Sequence, residues 1–316
     1  MKEHYGNRVY LGRVQRSPIF VMACIAFILS FSLLISVAET AEVTLDDLAE
    51  PDTGEEWFLV GNVFLDAGEY EDAIGSWHNA MTMDPSYSAD AWYNIGLAYV
   101  QAEMFEDALH AWIQSLEYNP SNAAAYDNIA TTYVLLGMPK EALTAYNLAI
   151  LSDPIEAKYT EDRDLFIENM KKSASEDDEG IFSRDQWDDV GMILYQEGDI
   201  EGAHKAWDKG LISSENAQNT GESAIIAKIW KNKAIVYMEQ EDYTAAVDAW
   251  LNSIEMQATG SAYNDLGYCY IVLEMPEKAL DAFDNALALE PESESFIENK
   301  NNLLTYFPEL LDEEGE

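Results

Sequence analysis

Residues 89–122, ADAWYNIGLAYVQAEMFEDALHAWIQSLEYNPSN, contain the pattern that decides the fold of this chain. Trp92, Ile95 and Tyr99 recur at helical spacing and predict one buried stripe of a first helix. Trp112 belongs to a second helix, which ends at an Asn-Pro dipeptide because proline cannot continue it. The stretch therefore predicts a pair of packed helices, with Trp112 filling the space between this pair and the next.

The same pattern recurs five more times along the chain. The six leading aromatic residues are Trp57, Trp92, Tyr126, Trp187, Trp230 and Tyr263. The first three follow one another at an almost constant interval, so the first three pairs are expected to stack without interruption. An insertion of about nine residues, at 213–222, separates repeats four and five. Recurrence at a fixed spacing indicates a helical solenoid.

Two further helical segments have no partner in the repeat pattern. Residues 155–170 follow repeat three, residues 293–306 follow repeat six, and both contain the sequence Phe-Ile-Glu-Asn. Because the end of a solenoid needs a cover, we expect each to be a capping helix. The predicted segments after the N-terminus are an acidic linker (39–53), repeats 1–3 with a cap (54–170), a flexible acidic loop (171–183), repeats 4–6 with a cap (184–306) and an acidic tail (307–316).

The N-terminus predicts contact with a membrane. Residues 1–18 carry four basic side chains and one acidic one, and residues 19–37 carry no charge. A helix of that length spans about 28 Å, close to the thickness of a bilayer core. Two alternatives stay open, an uncleaved transmembrane anchor at 19–38 and a cleaved signal peptide. In both, the positive-inside rule predicts a cytoplasmic N-terminus, with the repeats tethered outside the cytoplasmic membrane or secreted.

Composition excludes several classes of function. The net charge is −42, which makes nucleic acid a poor partner because phosphates repel such a surface. A saline habitat and a basic partner are the two explanations considered for the acidity. Cys24 and Cys269 are too isolated for a disulfide framework or a zinc site. Since the chain also lacks a phosphate-binding loop and a nucleophile elbow, no cofactor, metal or catalytic residue is expected.

The repeated residues resemble the tetratricopeptide-repeat (TPR) family over roughly residues 54–293. The resemblance implies an all-α, right-handed superhelical solenoid of about six helix–turn–helix repeats, in two sets of three. Proteins of this family are generally not enzymes. Their concave groove, formed by the first helix of each repeat, holds a peptide or a partner protein.

The residues that face this groove can be predicted from the helical period. If the leading aromatic residue points into the core, the next residue and those four further along face the groove. Together with asparagines that recur one place later, the candidates are Phe58, Asn62, Tyr93, Asn94, Leu97, Asp127, Asn128, Thr131, Asp188, Met192, Lys231, Asn264 and Tyr268. Two roles stay open for the asparagines, binding a peptide and bracing neighbouring helices.

These residues predict the chemistry of the partner. Apolar anchors beside acids fit a protein segment that is partly apolar and neutral to basic. Family members that hold acidic chaperone tails use lysines and arginines on this face, and the first three repeats have none there. The leading interpretation is a non-enzymatic, extracytoplasmic interaction scaffold that contacts the membrane through residues 19–37. The alternatives are a self-associating component of the cell envelope and an accessory subunit of a secretion or processing machine.

Overall fold

The computed structural model describes residues 51–176, 182–212 and 220–311. In these residues the chain forms fourteen α-helices and two short 3-10 turns, and no strand. The helices are α1 (Gly54–Asp66), α2 (Tyr70–Met83), α3 (Ser88–Gln101), α4 (Phe105–Tyr118), α5 (Ala123–Leu136), α6 (Pro139–Ser152), α7 (Ala157–Ser175), α8 (Arg184–Gln196), α9 (Ile200–Ile212), α10 (Thr220–Glu239), α11 (Tyr243–Met256), α12 (Gly260–Val272), α13 (Pro276–Leu289) and α14 (Glu294–Tyr306).

Twelve of these helices form six hairpins, which are α1/α2, α3/α4, α5/α6, α8/α9, α10/α11 and α12/α13. The hairpins coincide with the six predicted repeats, and α7 and α14 are the unpaired helices. The predicted all-α repeat fold is confirmed. Helix α10 begins at Thr220, well before the leading Trp230, so the end of the predicted insertion is helical. Residues 213–219 of the insertion lie outside the described part of the chain.

Each hairpin turns through one residue in the left-handed region. These residues are Gly68, Glu103, Gly137, Gly198, Glu241 and Glu274, with φ between 58° and 80°. The next residue donates its N–H to a carbonyl near the end of the first helix, as Met104 does to Tyr99 at 2.8 Å. This arrangement satisfies the last carbonyls of that helix. The turn therefore has one geometry in all six hairpins, although only three of them use glycine.

In four hairpins the core forms where a glycine of the first helix meets an aromatic ring of the second. Gly96 faces Trp112, and a Cβ added to Gly96 would lie 2.4 Å from Trp112 Nε1. The other three pairs, with the same arrangement, are Gly61 with Trp77, Gly191 with Trp207 and Gly267 with Phe283. The expectation that Trp112 fills the space between pairs is therefore corrected. Its ring packs inside its own hairpin, because only the absent side chain of Gly96 leaves room for it.

Helix α7 is longer than predicted. The sequence pattern indicated a helix over 155–170 and a loop from 171, but the helix continues to Ser175. Ala174 is buried, and Lys209 Nζ donates to the carbonyl of Ser173 at 2.7 Å. These contacts hold the added turn of helix in place. Of the rest of the predicted loop, residues 177–181 lie outside the described part of the chain.

Contacts between Cα atoms divide the chain into two compact units. The boundary follows Asp164, inside α7. Unit 1 contains α1 to α6 and the start of α7, where Tyr159 packs with Ala123 and Ala149. Unit 2 contains the remainder of α7 and α8 to α14, and its last helix packs on α13 through Leu303.

The predicted membrane segment at 19–38 and the first part of the acidic linker lie outside the described residues. Among the helices in the described ranges, none is both long enough and apolar enough to cross a membrane.

Candidate partner-binding site

A series of side-chain hydrogen bonds joins the first helices of neighbouring hairpins in unit 1. Asn62 Oδ1 accepts from Trp77 Nε1 at 3.2 Å and from Asn94 Nδ2 at 3.1 Å. One hairpin later, Asn128 Nδ2 donates to the hydroxyl of Tyr93 at 3.0 Å. Asn94 and Asn128 therefore each reach back to the first helix of the preceding hairpin and fix the stacking of the two.

Unit 2 repeats this device. Asn232 Nδ2 donates to Asp188 Oδ1 at 2.7 Å, and Asn299 Nδ2 of the capping helix donates to Asn264 Oδ1 at 2.8 Å. Of the two roles left open for the recurring asparagines, the structure shows bracing. Asn62, Tyr93 and Asn264 accept these bonds, so part of the candidate face is used within the chain itself.

Asp127 is a buried ion-pair partner rather than an accessible acid of the groove. It pairs with Lys158 of α7, whose Nζ also lies 3.3 Å from Asp162. Burial raises the pKa of Asp127 above its ordinary value, although Lys158 opposes this rise. Burial alone would lower the pKa of Lys158, but attraction by the two carboxylates outweighs it and raises that pKa. The hydroxyl of Thr131 donates to the Asp127 carbonyl at 3.0 Å.

Asp188 occupies the equivalent position in repeat four and is fully buried. Lys228 Nζ lies 2.9 Å from its Oδ2 atom. Burial would lower the pKa of Lys228, but its bond and attraction to Asp188 raise it overall. The expectation that Asp127 and Asp188 offer negative charge to a partner is therefore corrected, because a carboxylate taken out of water needs a cation beside it.

The accessible candidates are mostly apolar. Tyr268 is 49% exposed and Lys231 is exposed, while Phe58, Leu97 and Met192 are half-buried. The Phe58 ring lies 5.2 Å from that of Tyr87, and the Tyr268 ring lies 6.3 Å from that of Tyr243. The accessible candidates lie on the first helix of their hairpins, and the surface that the first helices form is called the first-helix face. It keeps apolar side chains within reach of a partner in both units.

One cavity adjoins this face, at the end of unit 2. It has a volume of about 410 Å³ and is lined by Asn264, Asp265, Tyr268, Ile271, Phe283, Asn299, Asn302, Leu303, Tyr306 and Phe307. Asp265 and the lining residues of α14 are absent from the predicted site. The sequence contains one indication that Asp265 differs from its counterparts in other repeats. Asp265 stands at the position that Asn94, Asn128 and Asn232 occupy in other repeats.

Repeats four and five contain a cluster of polar side chains that includes buried Lys233. Lys233 stands three residues after the leading Trp230, where repeats two and three have Ile95 and Ile129, and it pairs with Asp208. Its Nζ lies 5.2 Å from the centroid of the Trp230 ring. Nearby, the His204 ring stacks on Tyr237 with 4.6 Å between centroids. Burial, and then repulsion by Lys233, lower the pKa of His204, so it is neutral near pH 7.

Cys269 is the cysteine of the described residues, and it is buried. Burial raises the pKa of the Cys269 thiol to about 12, and a protonated thiol is a poor nucleophile. Within the described ranges, no three histidine, cysteine, aspartate or glutamate side chains are placed to hold a metal ion.

Comparison with known families identifies the repeats. Models described as tetratricopeptide repeat match residues 89–122, 123–156 and 260–293, and a model described as TPR repeat matches 61–103. None of the curated proteins matches this sequence.

Several solved structures are similar to this chain. The TPR2AB domain of yeast Sti1, in a complex with pHSP90, is 14% identical, with 79% of this chain and 96% of that chain covered and a TM-score of 0.34. The C-terminal part of a TPR repeat-containing protein from Cytophaga hutchinsonii is 16% identical, with 77% and 98% covered and a TM-score of 0.36. The Cut9–Hcn1 hetero-tetramer of the APC/C is 13% identical, with 93% and 57% covered and a TM-score of 0.36.

The matched segments agree with the hairpins of the structure. Repeats one, two, three and six overlap them, and repeats four and five share the same hairpin geometry. Repeats of this kind generally serve as protein–protein interaction scaffolds. The chain therefore carries tetratricopeptide repeats in both of its units.

Proposed function

We propose that this protein is a non-enzymatic scaffold that holds a partly apolar, neutral-to-basic segment of another protein on its first-helix face. The observation that carries the proposal is that different residues of that face have different contacts. Asparagines and buried aspartates join neighbouring helices, whereas Leu97, Met192 and Tyr268 stay accessible. Interfaces draw most of their energy from a few such apolar and aromatic anchors.

The net charge of the chain disfavours an acidic ligand such as a chaperone tail. Two lysines beside the face, Lys158 and Lys228, pair with Asp127 and Asp188. These cations are therefore already neutralised within the chain. Since the net charge is also −42, a neutral or basic segment fits better than an acidic one.

The proposed site of action is outside the cytoplasmic membrane. The basic residues of 1–18 and the uncharged stretch 19–37 support either an anchor or a signal peptide. Protease added to intact, wall-stripped cells should digest the repeats. Protection until the cells are lysed would contradict this location. The mature N-terminus, determined by sequencing, decides between the two alternatives.

Capture of a partner from membranes tests the binding function. The parent protein is compared with Leu97→Ser on the first-helix face and with Ile113→Ser, a matched control on the second helix α4, where Ile113 is 46% exposed. Leu97→Ser should weaken capture by roughly 1–3 kcal/mol, and Ile113→Ser should bind like the parent. The reverse order, with both variants folded by circular dichroism, would place the site on the other face.

The two alternative functions differ in what is bound. An envelope component that self-associates would sediment as an oligomer when purified, whereas a scaffold for a separate client would not need to. An accessory subunit of a secretion or processing machine would capture components of that machine. Sedimentation of the purified chain and identification of the captured protein distinguish these cases.

A further inference from the structure

The cavity at the end of unit 2 has walls that suit a planar cation. Its lining includes the rings of Tyr268 and Tyr306, which are 49% and 82% exposed, and of Phe307. It also includes the side-chain amides of Asn299 and Asn302, whose oxygens can accept hydrogen bonds, whereas Asn264 Oδ1 already accepts from Asn299. Aromatic faces attract cations, and arginine stacks on them more often than lysine does.

Asp265 supplies the one negative charge in this lining. Within the described residues no lysine or arginine forms an ion pair with it; burial raises its pKa, and attraction by Lys231 opposes that rise only in part. Its polar contact is the Nδ2 atom of Asn264, at 3.4 Å. In three other repeats an asparagine occupies this position and braces the preceding helix. Repeat six instead has a carboxylate in a half-buried place that lacks a paired cation.

We propose that this cavity receives an arginine side chain of the partner protein, with the guanidinium group against Asp265 and the tyrosine rings. The proposal rests on the proposed function and names the side chain of the partner that the cavity in unit 2 recognises. A guanidinium group has five N–H donors in one plane. The Asp265 carboxylate and the amide oxygens of Asn299 and Asn302 can accept hydrogen bonds from them. A lysine ammonium group has three donors around a point charge and makes less use of flat aromatic walls.

The test uses the full-length chain in a mild nonionic detergent and three fluorescein-labelled peptides. The host sequence is Gly-Ser-Leu-Xaa-Leu-Ser-Gly, with arginine, lysine or citrulline at Xaa, and binding is followed by fluorescence anisotropy at low salt. Citrulline keeps the planar shape but removes the charge. The arginine peptide should bind at least about tenfold more tightly than the citrulline peptide and more tightly than the lysine peptide. A preference for lysine, or no preference for charge, would overturn the proposal.

Two variants of the protein locate the effect. Asp265→Asn changes almost no volume and restores the residue that other repeats have here, so the fold should be retained. It should lower the preference for arginine over citrulline to about twofold or less. Asp281→Asn removes a charge from an exposed position on α13 and should leave the preference unchanged. If the two variants lose the preference for arginine over citrulline equally, general attraction to an acidic surface explains the binding and the proposal fails.

Failure of this inference is distinguishable from failure of the proposed function. If the arginine preference is absent while Leu97 still governs capture of a protein from membranes, the cavity assignment is wrong and the scaffold function stands. If the preference depends on Asp265 as expected but no protein is captured through the first-helix face, the cavity assignment stands and the scaffold function fails.

Discussion

Replacing Gly96 by alanine tests the close packing between the two helices of a hairpin. An added methyl carbon would lie 2.4 Å from Nε1 of Trp112 and 2.6 Å from two carbons of the same ring. Ordinary carbon contacts are at about 3.5–4.0 Å, so the ring must move by about 1 Å. Trp112 is 2% exposed and its Nε1 donates to the Tyr93 carbonyl at 3.1 Å, which leaves it little room to do so.

Two contributions lower the free energy of unfolding of the variant and one raises it. Overpacking a filled core costs about 1–3 kcal/mol. Weakening the bond from Trp112 Nε1 adds about 1 kcal/mol. Replacing glycine by alanine inside a helix returns about 0.5–1 kcal/mol. We therefore expect Gly96→Ala to lower the free energy of unfolding by about 1–3 kcal/mol.

Gly75 provides the matched control because it is also in a helix, but a methyl group there would meet nothing within 4 Å. Gly75→Ala should raise the free energy of unfolding by about 0.5–1 kcal/mol. Urea unfolding of both variants and the parent, followed by circular dichroism, measures the difference. If both substitutions change stability by the same amount, the close approach of Gly96 to Trp112 does not constrain the hairpin, and the account of its core is wrong.

Three other substitutions test the turns and the buried charges. Glu103→Gly should stabilise the chain by about 0.5–1 kcal/mol in the same assay, because φ is 59° there; a loss would contradict the turn geometry. Lys158→Met should cost about 3–5 kcal/mol near neutral pH. That deficit should shrink on acidification, because without Lys158 nothing opposes the effect of burial on the Asp127 pKa, and Asp127 protonates more readily in the folded variant than in the folded parent; a deficit independent of pH would argue against the ion pair. His204→Phe should keep the stacking on Tyr237. The parent should lose stability below about pH 6.5, because His204 binds a proton more readily in the unfolded chain than in the folded one, and the variant should not show this loss. Unfolding curves of both proteins at pH 5 and 7 measure the difference.

The hairpins could be predicted because their sequence signals are local. A leading aromatic, a small residue and a second aromatic on the following helix recur in each repeat, and each has a steric reason to do so. A left-handed turn is marked in the sequence only where it uses glycine, as at Gly68, Gly137 and Gly198. Glu103, Glu241 and Glu274 adopt the same backbone geometry, but packing of the two helices imposes it on them, and composition carries no sign of that.

The candidate site could be predicted only in part, because partners distant in sequence decide which side chains are accessible. The helical period identified Asp127 as a residue of the first-helix face. It could not reveal that Lys158, on a later helix outside the repeat pattern, would pair with it. The length of α7 depends on Lys209, a residue of another helix. The cavity escaped prediction because α14 supplies much of its lining and also lies outside the repeat pattern.

Photo-crosslinking tests the central claim, that a partner binds the first-helix face, most directly. Benzoylphenylalanine is placed at Tyr268, which is 49% exposed on α12, or at Tyr118, which is 58% exposed on the second helix α4. Both replacements exchange one exposed aromatic ring for another. After illumination of membranes that contain the full-length protein, the first should form a crosslink to a partner and the second should not. A crosslink through Tyr118 alone would contradict the account.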